Sequence, residues 1–113
     1  MLPSKNRISK SEFTKVGQSG FLSHGLYFSL RIIPSPSVAE YKCSFVVSAK
    51  VAKKAVVRNL LRRHGYSIIK KLEQKIKKQT SYIFFAKKDS AQLSFSELEK
   101  EIIDVLVKSK CLQ

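Results

Sequence analysis

Lys50 to Arg63, K-V-A-K-K-A-V-V-R-N-L-L-R-R, is the stretch around which the rest of the 113-residue chain is organised. Taken at about 3.6 residues per turn, it predicts a helix with Val56, Val57, Leu60 and Leu61 on one side and Lys54, Arg58, Asn59, Arg62 and Arg63 on the other. The first side is expected to be buried and the second to meet an anion. Lys54, Arg58 and Arg62 fall at i, i+4 and i+8, which stacks like charges on one face and costs about 0.2–0.5 kcal/mol per pair. A partner is expected to offset that.

The charge of the whole chain agrees. There are 22 Lys and Arg against 8 Asp and Glu, a formal net charge of +14, which suits an anionic polymer or surface and not a small neutral substrate. Lys50 to Lys78 alone holds eleven basic residues and one acid, Glu73, and so carries most of that excess. The closing segment is close to neutral, with Glu97, Glu99, Glu101 and Asp104 set against its lysines. With 113 residues and 43% hydrophobic content, residues 1–113 are read as one domain with one core. The apolar runs fall far short of the roughly 20 residues that a membrane span needs, and no secretory pattern follows Met1. Cys43 and Cys111 lack a zinc or disulfide spacing, so Cys43 is read as buried, Cys111 as incidental near the tail, and the reducing cytoplasm as the compartment.

From the central stretch the pattern extends both ways. Met1 to Ile8 reads as an irregular basic lead-in. Ser9-Lys10-Ser11-Glu12 fits a capping box opening a short helix with Phe13 and Val16 on its apolar side, ended by Gly17 and Gly20. After a loop over Phe21 to Gly25, Leu26 to Ile33 alternates as a strand. Tyr41 to Ser48 is a second strand, near enough in sequence to pair with the first as an antiparallel hairpin. The basic helix is expected to continue to about Lys78, because Ile68, Ile69, Leu72 and Ile76 renew its apolar stripe, with Gly65 as a point of bending. Ser81 to Ala86 is a third core strand. A turn at Lys87 to Ser90 leads to a helix capped by Ser94 and Glu97 and running to about Lys108, whose charges read as a solvated face. The expected fold is α+β, a two-layer sandwich of helices on one side of a small mixed sheet of three core strands or four, in the order α-β-β-α-β-α.

No catalytic set can be assembled. His24 and His64 are isolated and fit packed or partly exposed imidazoles better than ligands, and phosphate-loop and nucleophile-elbow motifs are absent. The chain reads as a binder. A lysine-rich helix is often no more than a solvated face, but here the arginines are aligned beside Asn59 with almost no acid near them, and guanidinium forks grip phosphate bidentately. The face of the first strand bearing Tyr27, Ser29 and Arg31 suits stacking of single-stranded bases.

The run S-A-K-V-A-K-K-A-V-V-R-N-L-L-R-R, Ser48 to Arg63, resembles the signature of the bacterial ribonuclease P protein component, whose helix carries an Arg-Asn-Arg motif followed by further basic residues. The resemblance extends to R-I-S-K-S-E-F-T-K-V near the start, to F-V-V-S-A-K entering the helix, and to Y-I-F-F-A-K-K-D-S-A-Q-L-S-F-S-E-L near the end. It implies a cytoplasmic subunit that binds a large catalytic RNA and the 5′ leader of precursor tRNA, with the hydrolysis done by the RNA and Mg²⁺ bound mainly there. It implies no catalytic residue in the protein, no stable protein partner and no membrane. By position it assigns RNA contacts to Lys50, Lys53, Lys54, Arg58, Asn59, Arg62 and Arg63, and cleft positions to Phe13 and Lys87; Tyr27 and Arg31 join these from the strand reading. It also implies a left-handed β-α-β crossover, against the right-handed rule of roughly 98%. The chain departs from the family pattern at Leu60, where a second arginine is usual, at Gly65-Tyr66, where another arginine is common, and at Gly17 and Arg31, where cleft aromatics are frequent. The competing readings are a general RNA-binding or ribosome-associated protein, and a binder of anionic membranes. The second fits poorly because the apolar stripe is needed for the core.

Overall fold

The computed structural model describes residues 6–8, 20–35 and 39–112. Its elements are strands β1 (Phe21–His24), β2 (Phe28–Pro34) and β3 (Tyr41–Val46), helix α1 (Ala55–Leu72), strand β4 (Thr80–Ala86), a 3-10 turn over Ser90–Gln92, and helix α2 (Phe95–Lys108). The expected opening helix, with Ser9, Glu12, Phe13 and Val16, lies outside the described residues.

β4 decides the topology. Thr80 to Phe84 are buried one after another, and a strand without a solvated face belongs in the middle of a sheet. The strand order is β1-β2-β4-β3. β4 pairs antiparallel with β2, Leu30 opposite Phe84, and parallel with β3, Phe45 opposite Phe84. The hairpin expected between Leu26–Ile33 and Tyr41–Ser48, the strands that become β2 and β3, therefore does not form. A short connection gains little by pairing its own ends, because closure entropy changes slowly with loop length, whereas the most apolar strand gains from a neighbour on each side. The parallel β3–β4 pair needs a long crossover, and α1 supplies it.

Two further strand readings are corrected. Phe21–His24 is not a loop but an edge strand paired with β2, Phe21 opposite Ile32. Its four mostly exposed residues carry no alternation for a sequence reading to detect. β2 starts at Phe28, two residues later than expected, and Leu26 is 81% exposed.

The core lies between one sheet face and the two helices. Phe28, Leu30, Tyr41, Cys43, Phe45, Tyr82 and Phe84 meet Leu61, Ile68, Ile69 and Leu72 of α1 and Leu98, Ile102, Val105 and Leu106 of α2. Phe45 stacks on Phe84 at 4.6 Å, and Phe28 sets an edge against each of them, the offset and T-shaped geometries that aromatic quadrupoles favour. By strand alternation Ile33 and Ile83 stand on the opposite face, and they too are buried.

α1 is shorter than its periodicity suggests. It starts at Ala55, with Lys54 extended at the N-cap, and stops at Leu72. Ile76 continues the apolar spacing by coincidence: it is buried through an isolated bridge to Leu112, while the amide of Lys77 donates to the carbonyl of Cys111 at 2.8 Å. Cys111 is buried, as Cys43 is on β3, so Cys111 is part of the core and not an incidental tail residue. Gly65 does not break the helix, which is continuous from Ala55 to Leu72. A Cβ there would lie 2.6 Å from the Phe45 ring, so glycine is what lets α1 settle on β3. α2 runs as expected from its Ser94 cap, with the Ser94 hydroxyl accepting from the Glu97 amide and Glu97 Oε1 accepting from the Ser94 amide.

Candidate nucleic-acid interface

The outward surface of α1 divides into two flanks along a ridge. The buried line is Leu61, Gly65, Ile68, Ile69 and Leu72, with Val57 packed at its edge. Val56 and Leu60, expected in the core, are instead 70% and 46% exposed. The sheet and α2 cover only part of the helix circumference, and at 100° per residue these two fall outside it.

On the flank facing β3, Asn59, Arg62, Arg63 and Tyr66 line a hollow of about 340 Å³ with Arg7. Helical spacing sets the first four there, and Arg7 is brought in because residues 6–8 run along the edge of β3. Arg7 bridges to Cys43, the Ile8 amide donates to the Cys43 carbonyl at 3.2 Å, and the buried Asn6 side chain donates to the Tyr41 carbonyl at 3.0 Å. Arg62 donates to the Asn59 side-chain carbonyl, which aligns the two groups. The Tyr66 hydroxyl accepts from the Phe45 amide at 3.3 Å and keeps its own proton to donate. Arg7 Nε is buried without a hydrogen-bond partner. No carboxylate lines the hollow, and the ion pairs found among the described residues, Lys70–Glu73 and Lys71–Glu99, lie further along the chain. Three guanidinium groups without an acid form a site for phosphate oxygens. Arg7 and Tyr66 were missing from the sequence-based set. Arg7 sits in a lead-in without periodicity, and Tyr66 stands out in the sequence only as a departure from the family pattern, where an arginine is common.

Lys50, Lys53 and Lys54 are not on the helix but in the turn before it. With Lys88 and Asp89 they border a second hollow of about 420 Å³. Arg58 closes this turn, its Nη1 donating to the carbonyls of Ala52 and Lys53, each at 2.8 Å. It therefore holds the lysines in place by tying the first turn of α1 to the carbonyls of the turn before it. The expected stripe of Lys54, Arg58 and Arg62 is thus split, with Lys54 and Arg58 at the turn and Arg62 in the hollow.

Of the cleft residues, Phe13 lies outside the described residues. Tyr27 and Lys87 come together: the Lys87 amide donates to the Tyr27 carbonyl, and Lys87 Nζ to the Gly25 carbonyl, both at 2.8 Å. The Tyr27 amide donates at 3.0 Å to Oε1 of Glu101. Glu101 is only 9% exposed and so is not part of the solvated face expected for α2; Lys108 Nζ adds a bond to the His24 carbonyl at 2.9 Å. Tyr27 packs against the main core and does not share the face of Arg31, which stands half-buried across the sheet between Leu22 and Ile83. His24 Nδ1 lies 3.1 Å from the Ser29 hydroxyl, and His64 packs on Phe95. Among the described residues no three of His, Cys, Asp and Glu come together as a metal site.

Perturbed acids sit at the helix ends. Glu73 would be raised by its partial burial, but bonds from Lys70 and Tyr41 and the nearby Lys78 bring it below the ordinary carboxylate value. Tyr41 is raised by burial and by Glu73, whose Oε2 accepts from its hydroxyl at 3.0 Å. This bond fastens the end of α1 to β3.

The Ribonuclease P family model matches residues 2–110. The ribonuclease P protein component of Pseudanabaena sp. (strain PCC 6903) is 31% identical over 113 residues, covering 99% of this chain and 97% of its own. That of Geobacillus kaustophilus (strain HTA426) is 31% identical over 106 residues, covering 93% and 87%. Among solved structures, the RNase P protein of Staphylococcus aureus is similar with a TM-score of 0.85 at 18% identity, covering 96% of this chain and 98% of that one. The RNase P protein of Thermotoga maritima has a TM-score of 0.77 at 19% identity, covering 86% and 90%. At these identities the two structures bear on the fold alone.

Proposed function

We infer the role of this chain from the family to which it belongs, the ribonuclease P protein components: it is the protein subunit of an endoribonuclease, a ribonucleoprotein that matures the 5′ end of tRNA. In our reading the chain carries out no covalent step. It binds the catalytic RNA through the guanidinium hollow of Arg7, Arg62 and Arg63 with Asn59, and through the turn bearing Lys50, Lys53 and Lys54 that Arg58 holds closed. The end of the sheet near Tyr27 and Lys87 takes the leader of precursor tRNA, with Phe13 and Arg31 as further contacts. The described residues offer no carboxylate cluster suited to Mg²⁺, and in this reading the ion sits on RNA phosphates. No described helix is long and apolar enough to cross a membrane, and we place the particle in the cytoplasm with its substrate.

The observation that carries this reading is the hollow of three arginines without an acid. A solvated face would be expected to pair its charges, as Lys70 and Lys71 do on the same helix. Reconstitution tests the role: at low Mg²⁺ the chain should accelerate leader removal by the cognate catalytic RNA above the rate of that RNA alone. An unchanged rate overturns it, and equal affinity for unrelated structured RNAs would favour a general RNA binder.

A further inference from the structure

The flank of α1 opposite the hollow is apolar, and it faces α2. Val56, Leu60 and His64 succeed one another at intervals of four, which places them on one line of the helix surface. The His64 ring meets Phe95, the first residue of α2, at 5.2 Å between centroids and 81° between planes. Phe95 is 41% exposed, and neither it, Val56 nor Leu60 belongs to the core. Three of the large exposed apolar side chains of the described residues thus adjoin on one strip. The strip is held rigidly: Lys71 on α1 pairs with Glu99 on α2 at 2.8 Å, and the capping box fixes the backbone next to Phe95.

Its surroundings define the partner. Asn59 and Arg63 on α1 and Lys53 in the turn before it, all exposed, border the strip, and Glu97, the first acid of α2, is occupied by the Ser94 amide. A rigid aromatic and aliphatic surface inside a cationic field suits a nucleobase, whose face is apolar and whose attached phosphate is anionic. A second copy of this chain would add its own positive charge to that field.

We propose that Val56, Leu60, His64 and Phe95 form a platform on which one unpaired base of the bound RNA stacks. The proposal rests on the role inferred above and adds a contact that charge alone does not provide. It also gives Leu60 a purpose.

The test is binding of the full chain to the cognate catalytic RNA across a salt series. Stacked bases lose about 5- to 150-fold in affinity when the aromatic is cut to alanine, so Phe95→Ala should raise Kd within that range. It should leave the slope of log K against log salt unchanged, because every phosphate contact remains in place. Phe95→Trp should bind at least as well as the natural chain, and Leu60→Ser, on the other helix, should weaken binding several-fold with the same slope. The proposal falls if Phe95→Ala binds as the natural chain does, if Phe95→Trp behaves like Phe95→Ala, or if affinity and slope drop together. It also falls if Phe95→Ala spares RNA binding but abolishes self-association seen by sedimentation. Arg62→Ala separates the two readings. If it weakens binding and Phe95→Ala does not, only the platform is wrong; if neither does, docking through α1 is wrong.

Discussion

The two flanks of α1 differ in how each would hold RNA, although one helix of eighteen residues carries both. The flank toward β3 is made of charges that the fold leaves unneutralised, gathered from α1 and from residues 6–8. The flank toward α2 is made of apolar side chains that the fold leaves uncovered. Charge acts at a distance and weakens with salt, over a Debye length of about 8 Å at physiological ionic strength; stacking acts only on contact and is nearly indifferent to salt. A subunit with both can attract a polyanion with one flank and fix its position with the other.

The largest effect that would separate the flanks is removal of the charges. Arg62→Ala combined with Arg63→Ala should weaken binding of the catalytic RNA by roughly 3 kcal/mol or more, since hydrogen bonds to charged groups contribute about 1.5–3 kcal/mol each. The salt slope should fall by about 0.9 for each phosphate that is no longer neutralised. Filter binding at several salt concentrations reads both quantities. A loss of affinity at constant slope would mean that this flank also works by contact, and the contrast between the flanks would disappear.

A smaller effect tests what aligns the two flanks. Gly65→Ala puts a methyl group where a Cβ would stand 2.6 Å from the Phe45 ring, and overpacking of this kind costs about 1–3 kcal/mol. An exposed helix would gain from the same change, so the sign of the shift in a thermal melt decides whether α1 is pressed onto β3 as described. Because Phe45 also stacks on Phe84 and meets Tyr66 edge-on, the displacement should reach the hollow before the apolar strip, and weaken RNA binding with a reduced salt slope.

Much of this arrangement is legible in the amino-acid order. α2 was readable because a capping box, a 3.6-residue period and a closing lysine all agree over Ser94 to Lys108. β4 was readable because strand-forming residues run together. What escaped reading depends on contacts distant in sequence. Period alone made Ile76 look helical, yet it is buried by Leu112. Val56 and Leu60 looked like core because a helical wheel shows which residues share a side, not how wide an arc the neighbouring sheet covers. Arg7 joined the site only through a bridge to β3, and Glu101 proved buried because the Tyr27 amide, 74 residues away, needs its oxygen. The basic residues of the site were found by type and spacing; their division between a hollow and a turn was not, because it depends on α1 starting at Ala55.

The smallest of the three effects concerns the apolar flank alone. Phe95 follows Ser94, and the box formed by Ser94 and Glu97 fixes the first turn of α2 beneath it. Ser94→Ala removes the acceptor for the Glu97 amide and should lower stability by about 1 kcal/mol, measured by denaturant midpoint at neutral pH. The other half of the box titrates. Bonds from the Ser94 amide and hydroxyl hold the Glu97 carboxyl below its usual value of 4.5. A depressed carboxylate contributes stability above its unfolded pKa and loses it as pH falls through the folded one. The natural chain should therefore shed this contribution only below about pH 4.5, whereas Glu97→Gln, which has no charge to lose, should show no such step from this site. If the first turn of α2 supports the platform and not the hollow, Ser94→Ala should also raise the Kd for RNA slightly at unchanged salt slope. A fall in slope instead would show that loosening α2 disturbs the arginines, and that the two flanks are not independent.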